Sequence, residues 1–82
     1  MNYIKLNETT KSTKKDIIEN IQRITKTQYE WMIRSKNAKN TVFMNRYFEA
    51  YSTMLLLSLS SGLINNDEYE KAIHEAINIC WD

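Results

Sequence analysis

Residues 41–61 read TVFMNRYFEAYSTMLLLSLSS, and the distribution of their side chains decides the fold. On a helical wheel Met44, Phe48, Tyr51, Leu55 and Leu59 fall on one side. Phe43, Tyr47, Ala50, Met54 and Leu57 fall on the adjoining side. The combined apolar arc is wider than the ~100° stripe of an ordinary surface helix. A helix with that much apolar surface needs cover on two flanks, and the chain supplies an amphipathic segment before it and another after it.

In the earlier segment, Thr13-Lys14-Lys15-Asp16 fits a capping box, with Thr13 as N-cap and Asp16 in place of the usual Glu or Gln. Ile17, Ile21, Ile24, Gln28 and Trp31 then keep the 3-4 spacing of one helical face, and Met32 widens it, so this is the expected core face. Glu19–Arg23 and Glu30–Arg34 are spaced as i,i+4 pairs on the opposite face. Asn37 to Asn40 form a connector, with Asn40 or Thr41 capping the central helix.

Beyond the central helix, Gly62 suits the left-handed position after a helix end, and Leu63 supplies the apolar residue that follows. Asn65 is the next N-cap with Glu68 at N3, and Ile64 can staple to Tyr69. Tyr69, Ala72, Ile73, Ala76, Ile77 and Cys80 make a core stripe, with Trp81 closing the end. The stretch from Leu56 to Ile77 resembles the short oligomerisation hairpins at the C-termini of many bacterial proteins.

The fold expected is all-α, a three-helix up-down-up bundle with helices over about 14–36, 41–61 and 66–80. Residues 13–82 form this single domain. Residues 1–12 are an N-terminal arm whose order stays open: Tyr3, Ile4 and Leu6 can pack, while Asn7 to Ser12 read as a flexible lead-in. Eighty-two residues hold a small core and marginal stability.

With no proline and Gly62 alone, hairpins and phosphate-cradling loops lose support. The single Cys80 excludes an internal disulfide and a Cys-rich metal site. The first fifteen residues have no apolar core of a signal peptide, and the longest apolar run, Met54 to Leu57, is too short to span a bilayer. The expectation is a cytoplasmic protein with no membrane partner. Ile, Asn, Lys and Tyr, whose codons are AT-rich, are abundant, as in low-GC bacteria and their phages or plasmids.

Catalytic chemistry is sparse. His74 is the one histidine and falls on a polar helix side near Glu70, where a solvated role is expected. Cys80 sits at the electronegative end of a helix beside Asp82, and both features raise a thiol pKa. Asp67, Glu68, Glu70 and Glu75 lack the loop spacing of a calcium site and read as helix capping and solvated charge. No enzyme, no metal and no cofactor are expected.

Charge is divided unevenly: residues 1–46 hold ten Lys/Arg against four Asp/Glu, and residues 47–82 hold one against six. The basic excess invites a nucleic-acid reading through Lys11, Lys14, Lys15, Lys36, Lys39 and Arg46, gathered at the two ends of the first helix. The acids opening the third helix would face phosphates, which argues against a helix-turn-helix. A second stripe of the first helix, Ile18, Gln22, Tyr29 and Ile33, with Leu56 on the second helix, lies outside the expected core and is the candidate protein interface. The functional expectation is a small non-enzymatic interaction protein. It would be a regulator or inhibitor that binds a protein partner and self-associates as a homodimer or higher oligomer, encoded by a phage or other mobile element. The alternative is a nucleic-acid-binding accessory protein.

Overall fold

The computed structural model describes residues 13–82. The expectations for the 1–12 arm and for the Thr13 side chain as a cap fall outside what it describes. Three α-helices follow in order: α1, Thr13–Asn37; α2, Thr41–Ser60; and α3, Asn66–Trp81. No strand occurs among the described residues. These bounds match the sequence reading to within a residue, because capping groups mark them.

The Asn40 side chain accepts the Phe43 N–H at 3.1 Å and opens α2. Asn65 and Glu68 complete a capping box at the start of α3, with bonds of 2.8 and 2.9 Å. At the end of α2 the Leu63 N–H reaches the Ser58 carbonyl at 2.8 Å and the Gly62 N–H reaches Leu59 at 3.1 Å. Gly62 has φ 76° there, so this is a Schellman ending on glycine. The end of α1 repeats the pattern without glycine. The Asn40 N–H reaches Ser35 at 2.9 Å, the Lys39 N–H reaches Lys36 at 3.0 Å, and Lys39 takes φ 59°. A side chain in that left-handed region costs about 1 kcal/mol.

The helices run up, down and up. The Trp31 ring stacks on Tyr47 and the Tyr29 ring lies 5.2 Å from Tyr51, so positions rising along α1 meet positions falling along α2. Along α3, Glu75 meets Tyr29 and the Cys80 carbonyl meets Lys36, so α3 runs with α1. The core between them is Met32, Met44, Tyr51, Leu55, Ala76 and Cys80.

The face that α1 turns inward differs from the sequence expectation. Met32 is fully buried, whereas Ile17 keeps 53% and Trp31 44% of its surface. The inward seam is Thr25, Tyr29, Met32 and Lys36, one position on from the Ile17–Trp31 stripe and thus turned by about 100°. This seam is more polar than the Ile17–Trp31 stripe. Its polar atoms have partners, however: the Thr25 hydroxyl donates to the Ile21 carbonyl at 2.6 Å, the Tyr29 hydroxyl to Glu75 and the Lys36 ammonium to Cys80. Tyrosine and lysine thus bury an apolar body and keep a satisfied polar tip. Ile77, also expected in the core, is partly exposed. The two i,i+4 pairs do not form either. Glu19 lies 4.0 Å from Lys15, Arg23 reaches Asn20, and Arg34 sits over the Trp31 ring. Surface ion pairs are worth too little to resist such alternatives.

Leu55 is 6% exposed and its neighbour Leu56 is 52% exposed. Leu55→Ala should therefore cost ~2–5 kcal/mol, and Leu56→Ala within about 0.5 kcal/mol, in denaturant titrations; equal costs would contradict this packing. In the same assay Lys39→Gly should stabilise by ~1 kcal/mol, since glycine relieves the left-handed strain.

Candidate functional site

Helix α2 presents two seams. α3 covers the seam containing Met44, Phe48, Tyr51 and Leu55, where the Phe48 and Trp81 rings meet edge to face at 4.9 Å. The other seam, Phe43, Tyr47, Ala50, Met54 and Leu57, turns away from α3. On α1 the Ile17, Ile21, Ile24, Gln28 and Trp31 stripe lies beside it, as the Trp31–Tyr47 stack at 6.0 Å shows. Together they form one two-helix face, and none of its ten residues is charged. Phe43 is 47% exposed, and Ile17, Ile24, Trp31 and Leu57 also stand out from it. The Arg34 guanidinium lies 5.0 Å above the Trp31 ring and that of Arg46 5.7 Å from Phe43, so two cations rim the connector end.

The opposite side of α1 forms a groove of about 410 Å³ against α2 and the turn into α3. Tyr51 and Leu55 line it together with Gln22, Thr25, Tyr29 and Ile64. The Tyr29 hydroxyl donates to Glu75 Oε1 at 3.0 Å. Burial raises the Tyr29 phenol above its usual pKa of 10.0, helped by the hydrogen bond to the Glu75 carboxylate, its charge and Tyr51. Burial also raises Tyr51, with the Glu75 charge a smaller contribution.

These two surfaces separate the interface candidates. Tyr29 packs against the core, Gln22 lines the groove, and Ile18 and Ile33 are half-buried on that side of α1. Leu56 is exposed elsewhere, on the solvent side of α2. The basic candidates are divided too. Lys11 lies outside the described residues, and Lys14 and Lys15 are exposed at the start of α1. Lys36 donates to the Cys80 carbonyl at 2.7 Å and so neutralises the end of α3. Lys39 holds the left-handed turn, and Arg46 stacks on Phe43.

His74 is exposed on a shallow surface with Lys71, Asn78 and Ile79. Cys80 is buried, and burial pushes its thiol pKa up while the Lys36 ammonium pulls it partly back. Glu68 closes the capping box and Glu75 holds Tyr29. Among the described residues no three His, Cys, Asp or Glu side chains gather to hold a metal ion. No helix there is long and apolar enough to cross a membrane.

Sequence reading missed the Tyr29–Glu75 and Lys36–Cys80 links, which depend on how α1 and α3 are aligned. The Arg34–Trp31 stack carried a local signal, since residues three apart on a helix are neighbours. No family model, curated protein or solved structure matches the chain.

Folding raises both tyrosine pKa values, so the neutral phenols favour the fold. That contribution is fully present below the unfolded value near 10 and is lost as pH rises through the folded values. Alkaline unfolding followed by circular dichroism should begin above pH 10, and Tyr29→Phe with Tyr51→Phe should move it upward. An unmoved midpoint would remove the two phenols from the account.

Proposed function

We propose that this chain is a non-enzymatic helical interaction protein, a regulator or inhibitor that covers a site on a protein partner and self-associates. The observation that carries the reading is the uncharged two-helix face with Trp31 and Phe43 exposed on it. Small domains expose contiguous apolar surface of that kind chiefly where another protein covers it, and exposed aromatics rimmed by arginine match the composition of binding hot spots. A carrier phage or other mobile element suits the small size and AT-rich composition.

A second reading has an observation in its favour. Arg34 over Trp31 and Arg46 over Phe43 are aromatic rings flanked by cations, the chemistry that holds single-stranded nucleic acid. Lys39 lies on the same connector, with Lys14 and Lys15 at the far end of α1.

Tagged protein retained on a resin and exposed to a low-GC bacterial lysate, with and without nuclease, separates the two. A stoichiometric protein that survives nuclease and is lost with Trp31→Ala/Phe43→Ala, at unchanged helicity, is the expected result. Recovery untouched by that double variant would contradict the face as the binding surface. Nuclease-sensitive recovery, with affinity falling by roughly 0.7 log units per log unit of salt for each single-strand phosphate neutralised, would favour the second reading.

A further inference from the structure

We propose that the uncharged α1–α2 face is covered by a second copy of this chain, ends exchanged, so that two helix pairs form a four-helix layer with each α3 on the outside. The inference rests on the interaction reading above and names the partner of that face.

The spacing is the first argument. Ile17, Ile21, Ile24, Gln28 and Trp31 repeat at four and three, and Phe43, Tyr47, Ala50, Met54 and Leu57 repeat in the same way. This is the heptad spacing of a helix seam that packs against further helices. α1 and α2 already satisfy their inner seams against α3, so both outer seams present the same demand on one face. A surface that is apolar, uncharged and lined by two heptad seams is complementary to itself.

Area is the second argument. Ile17, Ile24, Trp31, Phe43 and Leu57 keep 37% to 53% of their surface, which at about 200 Å² per large apolar side chain leaves on the order of 450 Å². The half-buried Ile21, Gln28, Tyr47, Ala50 and Met54 and the rim bring each copy towards the roughly 800 Å² per partner of a standard stable interface.

Charge chooses the orientation. The connector end is rimmed by Arg34 and Arg46, and the opposite end of α1 carries Asp16 with Lys14 and Lys15 beside it. Pairing like ends would set the arginines of the two copies together. Exchanging the ends separates these four arginines, and it sets Arg34 level with the other copy's Lys14 and within about a turn of its Asp16, a charge of opposite sign. It also lays α1 along α1, with the two Ile24 residues opposite each other at the centre and Trp31 against Ile17; the Tyr29–Tyr51 and Trp31–Tyr47 contacts set Ile24 level with Met54, so α2 meets α2 at Met54.

The test uses the full chain in sedimentation equilibrium, with Ile24→Asp on the face and Leu56→Asp on the far side of α2. A wild-type dimer at tens of micromolar, Ile24→Asp weakened at least about 100-fold by a buried unpaired charge with helicity intact, and Leu56→Asp unchanged are expected. A separate variant, Ile24→Cys, treated with a short bismaleimide should give a covalent dimer, the buried Cys80 staying unreactive. A wild-type monomer across this range, a dimer untouched by Ile24→Asp, or no covalent dimer with Ile24→Cys would each overturn the inference. If Ile24→Asp fails to fold, the cross-link alone decides. Should the wild type be monomeric while Trp31→Ala/Phe43→Ala still abolishes capture of a protein partner, the interaction reading stands and only the identity of the partner falls.

Discussion

The apolar arc of α2 is the constraint on which the rest depends. One helix cannot cover an arc that wide, because helix–helix contact uses a single seam of each partner. α1 lies against its middle, and α3 closes over Met44, Phe48, Tyr51 and Leu55. The edge with Phe43, Ala50 and Leu57 is left beyond the reach of both. α1 settles into the angle between its neighbours and thereby turns Ile17, Ile24 and Trp31 to the same outer side. The open face is thus a consequence of having two covering helices for a helix that needs more.

The helix limits were legible in the sequence because they are written in local chemistry. Asn65 with Glu68, Asn40 ahead of Thr41, and Gly62 after Ser61 each act within a few residues. The rotation of α1 was not legible. Hydropathy ranks Ile17 and Ile24 above Thr25 and Lys36, but burial follows satisfied polar atoms as well as apolar area. The bonds that satisfy them, Tyr29 to Glu75 and Lys36 to the Cys80 carbonyl, join residues 46 and 44 positions apart. Such links exist only once α3 has docked. The Lys39 turn escaped for the opposite reason: the Schellman bonds form there without the glycine that announces them.

The same geometry weakens each site the charges suggested. Lys36 is engaged with the end of α3 and Lys39 with its own turn, so the connector cluster has fewer free cations than its sequence implies. Cys80 is a core side chain whose thiol burial disfavours ionisation. What remains prominent is apolar and aromatic surface, and our proposal of an interaction protein follows from that balance. Because an 82-residue chain has a small core, covering the open face would add stability and binding together.

The account stands most directly on where Trp31 lies. In a Trp81→Phe variant its fluorescence is the sole tryptophan signal, and acrylamide quenching reads its exposure. At high dilution Trp31 should be readily quenched, with shielding growing as the concentration rises and copies associate. Shielding that is complete at every concentration would place the Ile17–Trp31 stripe in the core of the single chain and contradict the rotation of α1.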